Sequence, residues 1–264
     1  RPAAFSRRSA RRAGPRRRKL HELRLLRRDL SAAHRYQFLD AEDRHAAGRR
    51  LVVQQLDLEQ IAPLVPEALG RFFHEHPRVA LAYSGGCDSV FLLACALASG
   101  AEVCPFTVNT AFQYAFEADD ARLAADQLGS ETNLLTLDIF AHPEVTANPP
   151  DRCYHCKKVI FTTIKEAAAR EGIEVLIDGT NASDDPARRP GFRAIEELGV
   201  HSPLREAGLT KDAIRDFSRK MELVTADKPN YSCLATRVEA NCPITPELLA
   251  SFVQEDWRDR ETSV

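Results

Sequence analysis

The run Ser84-Gly85-Gly86-Cys87-Asp88-Ser89 constrains the fold more than any other stretch of the chain. It follows a strand-like apolar segment, Arg78–Tyr83, and leads directly into an apolar helical one, Asp88–Ser99. Strand, glycine turn and helix in that order form one arm of a βαβ unit. Two adjacent glycines permit a tight turn and let backbone N–H groups close on an anion. Gly86 is expected to be where backbone approaches the anion most closely, with positive φ. The helix N-terminus adds unsatisfied donors and a partial positive charge. Ser84 and Ser89 offer hydroxyls, and Asp88 either caps the helix or holds Mg²⁺. No Gly-Lys-Ser/Thr follows, which excludes a Walker A loop, and the missing third glycine excludes a dinucleotide fingerprint. Ser84, Gly85, Gly86, Asp88 and Ser89 form the candidate phosphate-binding set.

Further apolar runs repeat the alternation. Val103–Val108, Asn133–Ile139 and Glu174–Ile177 read as strands, and Glu117–Leu128 and Tyr154–Arg170 as helices. Strands alternating with helices of this length predict an α/β fold, a doubly wound parallel sheet with helices on both faces. Ligands of such sheets bind outside the carboxyl ends of the strands. Asp178-Gly179-Thr180-Asn181 ends the last strand. It is either an ordinary turn or a polar edge with Asp178 and Asn181 facing a nucleotide across from Ser84. Arg188 and Arg189 bind a phosphate or merely flank a Pro-Gly turn.

Charge is unevenly spread. Residues 1–50 hold 16 Lys and Arg against 5 Asp and Glu, a net of +11, whereas the remainder carries a net of −13. An acidic body disfavours nucleic acid as a partner. The basic leader lacks the apolar core of a secretory signal and is expected to be disordered. No apolar run approaches the ~20 residues of a membrane span. The expected compartment is the cytoplasm, and a homo-oligomer is compatible with the sequence.

Seven cysteines without a secretion signal point to reduced thiols serving metal or redox chemistry. Cys95 and Cys104 fall in apolar runs and are expected to pack as small core groups. Cys153-Tyr154-His155-Cys156 follows Pro149-Pro150, so a helix begins after the prolines and both thiols are expected in its first turn, three residues apart on one face. A helix N-terminus favours the thiolate. Cys233 lies far downstream in Lys228–Arg237. A redox pair, a zinc site completed by Cys242, His155 or His201, and an iron–sulfur cluster on three cysteines all remain open.

The loop resembles the SGG-x-DS signature of the PP-loop ATP-pyrophosphatases, which implies cleavage of ATP between the α and β phosphates. Five further blocks, Asn148–Lys157, Asp178–Asp184, Arg189–Phe192, Glu197–Thr210 and Lys228–Arg237, resemble the LarE family of ATP-dependent sulfur transferases. The likeness runs from about Leu56 to Pro246. It implies adenylation of a pyridinium carboxylate, a small-molecule nucleotide, and its conversion to a thiocarboxylate for nickel-pincer nucleotide synthesis. The implied cofactors are ATP with Mg²⁺. The position matching Cys233 supplies sulfur in that family, either sacrificially, leaving dehydroalanine, or as one ligand of a 4Fe-4S cluster. With Cys153 and Cys156 present, the resemblance implies the second kind, all three cysteines being metal ligands. The family continues past Ile244-Thr245-Pro246 into a small C-terminal domain. Residues 51–246 are thus expected to be the PP-loop domain, and 247–264 a tail in place of that domain. A tRNA-thiolating enzyme, an ammonia-dependent amide synthase of the NAD-synthetase type, and a binding protein without turnover are the rivals.

Overall fold

A computed structural model describes residues 53–262, with side chains described through 254. The basic leader therefore lies outside the described residues. Helix α1 spans Glu67–Glu75, followed by strand β1 (Arg78–Ala82), α2 (Cys87–Ala98), β2 (Glu102–Asn109), α3 (Ala115–Gln127) and β3 (Asn133–Thr136). Then come α4 (Arg152–Arg170), β4 (Leu176–Asp178), α5 (Phe192–Glu197), α6 (Lys211–Lys220) and α7 (Pro246–Thr262), with short helical turns between.

The four strands form one sheet in the order β3-β2-β1-β4, with every pairing parallel. The chain steps outward from β1 to β3, then crosses back to place β4 on the other side of β1. Strand order reverses between β1 and β4, so the ligand crevice is expected at their carboxyl ends.

Residues on β1 alternate between two cores. Val79 and Leu81 join a cluster with α1, α2, α3 and α6, while Ala80 faces a second cluster with α4 and α5. A central parallel strand buried on both faces needs apolar residues at every position. The sequence Val-Ala-Leu-Ala supplies them. Helix α2 is apolar all round, and Val90 to Ala96 are fully buried. It stops at Ser99-Gly100, where Gly100 takes φ +78° and releases the chain into β2. Cys95 is fully buried in this helix, whereas Cys104 is part-buried and accepts a hydrogen bond from Asn133.

Strand β3 ends at Thr136, short of the expected Ile139. The Asp138 carboxylate accepts from Phe140 N and turns Ile139–Ala141 into a 3-10 helix. Beyond β4, His201 adds a single parallel bridge to Ile177. A third core cluster, built on Phe112, Ile139, Val145, Leu234, Val238, Ile244 and Leu249, lies under the loops at this end. Leu249 belongs to α7, so the segment after residue 246 starts as a helix docked on the body. No helix among the described residues is long and apolar enough to cross a membrane.

Candidate functional site

The loop after β1 is closed by its own hydrogen bonds. Ser84 and Ser89 hydroxyls lie 3.2 Å apart, Ser89 donates to Gly86 O at 3.1 Å, and Gly86 N donates to Ser84 Oγ at 3.4 Å. The left-handed residue is Gly85, with φ +68°, whereas Gly86 is extended at φ −82° and forms the N-cap of α2. The positive φ expected at Gly86 thus sits one residue earlier. A Cβ on Gly85 would come 2.4 Å from Ala121 Cα of α3, so backbone packs against backbone there.

Asp88 does not cap the helix. Its Oδ2 is 2.8 Å from Lys211 Nζ at the start of α6, and its Oδ1 is buried without a hydrogen-bond partner. An orphaned buried carboxylate oxygen is costly unless something binds it. That atom suits a hard cation such as Mg²⁺, which takes oxygen ligands.

A second lysine reaches the loop from below. Lys228 Nζ donates to Gly85 O at 3.2 Å and pairs with Asp120 at 3.1 Å, both side chains nearly inaccessible at 7% and 3% exposure. It ties the turn to Asp120 of α3. The sequence carried no local sign of either lysine's role: Lys211 lies 123 positions from Asp88 and Lys228 lies 143 from Gly85.

Across the crevice, Gly179 packs against the first turn of α2. A Cβ there would meet Ser89 N at 3.1 Å and Asp88 Cβ at 3.4 Å. The β4 edge and the phosphate loop therefore share one site. Asp178 is buried and fully engaged, accepting from Thr180 N, Thr180 Oγ1 (2.6 Å) and Ser202 Oγ (2.7 Å), with Lys157 Nζ 3.7 Å away. Asn181 is also buried, its side-chain oxygen accepting from Ser183 N. These bonds set the shape of the edge. Arg189 pairs with Asp184 at 2.7 Å and Arg188 with Asp185 at 3.5 Å, both well exposed.

Helix α4 begins at Arg152, two residues before the expected Tyr154, so Cys153 lies in its first turn, but Cys156, expected there too, falls at the start of the second. Cys153 is exposed, while Cys156 and Cys233 are half-buried against the third cluster. The three thiols share one neighbourhood. Burial pushes Cys156 up to about 12, and the nearby charges of Cys233 and Cys153 push the same way. Burial raises Cys233 as well, opposed first by the Ala235 backbone N–H and then by Arg152. Desolvation thus outweighs the helix-terminus effect expected for Cys156. Among the described residues no three His, Cys, Asp or Glu side chains are arranged to hold a single metal ion. Cys153, Cys156 and Cys233 are soft sulfur donors, the type that iron and sulfur clusters take, but among the described residues they are not arranged as a metal site. Of the alternative fourth ligands, His155 lies 3.5 Å from Asp151, and His201 packs against Phe72 and His76. Cys242 is exposed.

No family model matches the chain. It is 35% identical over 184 residues to an uncharacterized protein of Synechocystis sp., covering 69% of both chains. It is 29% identical over 178 residues to pyridinium-3,5-bisthiocarboxylic acid mononucleotide synthase of Lactiplantibacillus plantarum, covering 67% of this chain and 64% of that one. A more distant likeness, 27% over 195 residues, joins it to tRNA-specific 2-thiouridylase MnmA of Carboxydothermus hydrogenoformans, of which it covers 53%. The chain thus spans about two thirds of the first two relatives and about half of the third. With the glycine loop at the sheet's switch point and these relatives on either side of it, the chain belongs to the LarE family of PP-loop enzymes, a sulfur-transferase branch of the ATP-pyrophosphatases.

Proposed function

We propose that the protein adenylates the carboxylate of a pyridinium mononucleotide with ATP and then replaces the adenylate by sulfur to give a thiocarboxylate. The observation that carries this reading is the loop from Ser84 to Ser89. Its Gly85–Gly86 backbone opens onto the N-terminus of α2, and it is backed by Lys211 and Lys228. In the first step a carboxylate oxygen of the substrate attacks the α-phosphorus, and the bond to the β-phosphate oxygen breaks. The loop N–H groups and the hydroxyls of Ser84 and Ser89 hold the departing pyrophosphate. Mg²⁺ bound at Asp88 would neutralise phosphate charge. Asp178 and Asn181 would line the opposite wall for the nucleotide.

In the second step a sulfur nucleophile attacks the activated carboxyl carbon and AMP leaves. Cys233 is the residue proposed to deliver that sulfur, with Cys153 and Cys156 beside it. An iron–sulfur cluster of the 4Fe-4S kind, bound there, would supply sulfide as the nucleophile, and Cys153, Cys156 and Cys233 are the residues that would hold it. A carboxylate is a poor acceptor until it bears a leaving group, so adenylation must precede sulfur attack.

Pyrophosphate release tests the reading. It is expected to depend on nicotinate mononucleotide or a related pyridinium carboxylate and to be silent with transfer RNA. Release driven by transfer RNA alone would overturn the substrate in favour of the thiouridylase-like alternative. Anaerobic iron and sulfide analysis decides the sulfur source: a protein free of both that yields one thiolated product per chain, losing one sulfur itself, uses Cys233 sacrificially.

A further inference from the structure

Arg152 presents an unusual electrostatic arrangement beside the thiols. Its residue surface is 8% exposed, yet among the described residues no carboxylate pairs with it. Its Nη1 donates to Asn148 Oδ1 at 2.9 Å and to the backbone oxygen of Ala235. Its Nη2 faces Cys153 Sγ at 3.5 Å. A buried guanidinium held only by neutral acceptors is an uncompensated charge, which proteins tolerate where an anion is to be met.

The same residue joins two parts of the chain that the sheet alone does not connect. Arg152 starts the helix bearing Cys153 and Cys156, and Ala235 lies two residues past Cys233. Asn148, left-handed at φ 55° and 2% exposed, extends the junction. Its amide donates to Glu239 O at 2.8 Å, and its own carbonyl accepts from Asn241 N at 2.8 Å. On the far side, Leu234 N donates to Phe112 O at 3.0 Å. The Cys233 segment is thus fixed through backbone atoms of Leu234, Ala235, Glu239 and Asn241, and Arg152 is the charged side chain that makes one of these contacts.

Resting on the sulfur-transfer reading above, we propose that Arg152 is the positioning cation of the sulfur end: it locks the Cys233 segment onto the thiol helix and supplies the positive charge facing an anionic sulfur species. Lys211 and Lys228 serve the phosphate end in a separate set of contacts, so the two ends are separable by mutation.

The test uses the full chain with Arg152→Met, Arg152→Lys and Asn148→Gly. Glycine keeps the left-handed backbone at 148 while removing the amide. Three readouts are taken: substrate-dependent pyrophosphate release, thiolated product under anaerobic conditions, and dibromobimane cross-linking of Cys233 to Cys153 or Cys156 in metal-free protein, located by peptide mass spectrometry. Arg152→Met is expected to lower product formation about 100-fold, the scale of losing one oriented charged donor, with pyrophosphate release retained. Its cross-linking is expected to slow about tenfold, a loss of roughly 1.4 kcal/mol in positioning. Arg152→Lys restores part of the product yield, and Asn148→Gly slows cross-linking while keeping the charge. Product formation and cross-linking at wild-type levels in Arg152→Met overturn the proposal. Should that variant fail to fold, wild-type cross-linking in both of the other variants overturns it equally. A wild-type protein that makes no thiolated product refutes the sulfur-transfer reading instead, and the cross-linking arm still decides the clamp.

Discussion

The phosphate end and the sulfur end are built on opposite principles. The loop from Ser84 to Ser89 is six consecutive residues whose shape is set by two glycines, a helix terminus and bonds within the loop. The sulfur end has no local definition. It exists because a helix start and a loop 83 positions apart, measured from Arg152 to Ala235, are held together by Arg152, Asn148 and a third apolar cluster. One site is a local turn with a few distant supports, Lys211, Lys228 and Ala121. The other depends on tertiary closure, and burial raises the pKa of its Cys156 and Cys233 thiols.

The contrast is broken most directly at the phosphate end. Gly85→Ala forces a Cβ to 2.4 Å from Ala121 Cα at a residue with φ +68°, and pyrophosphate release is expected to fall by at least about 1,000-fold. Asp88→Ala removes the orphaned oxygen and the partner of Lys211. It is expected to lose activity on the order of 100-fold with little change in melting temperature. Release at near wild-type rates in either variant would show that the loop does not hold the leaving group.

The sulfur end is probed by single Cys→Ala changes at 153, 156 and 233. If the three act as one site, each abolishes thiolated product while pyrophosphate release continues. Multiple turnovers in Cys153→Ala or Cys156→Ala would leave Cys233 as the lone sulfur source. An effect on stability rather than on chemistry is expected from Lys228→Met, which withdraws a buried lysine from Asp120 and from Gly85 O. Breaking a buried pair of this kind costs about 3–5 kcal/mol, read as a fall in the urea midpoint that added ATP does not fully restore. Smallest is a difference in labelling order. In metal-free protein, iodoacetamide should reach exposed Cys153 and Cys242 well before half-buried Cys156 and Cys233, and Cys95 last of all. Cys233 labelling first would contradict its burial against the third cluster.

Much of this was legible in the chain. Alternating apolar runs define the strands and helices of a parallel sheet, and the glycine loop marks its first crossover. The position of β4 beside β1, which brings Gly179 onto Asp88 and Ser89, follows from topology and carries no short-range signature. The same holds for Lys211 and Lys228. A lysine in a sequence block is only a charge until the fold says which carboxylate it meets. The helix-terminus argument for acidic thiols failed at Cys156 because sequence spacing reports the terminus but not the apolar cluster packed beside it. Arg152 stood next to Cys153 throughout. Its significance lies in what surrounds it, namely two neutral acceptors, a thiol and, among the described residues, no paired carboxylate.

The contact between Gly85 and Ala121 has a consequence for how this scaffold tolerates variation. Ala121 looks like an ordinary helical alanine, yet it is fully buried with its Cα where a side chain on Gly85 would have to go. Positions 85 and 121 therefore behave as a single constraint divided between two places in the chain. Enlarging residue 121 presses on the turn as surely as adding a side chain to the turn itself. Any redesign of α3 for a new substrate inherits that restriction, and a library diversified along the helix would lose ATP cleavage at this one buried alanine while every loop residue remained unchanged.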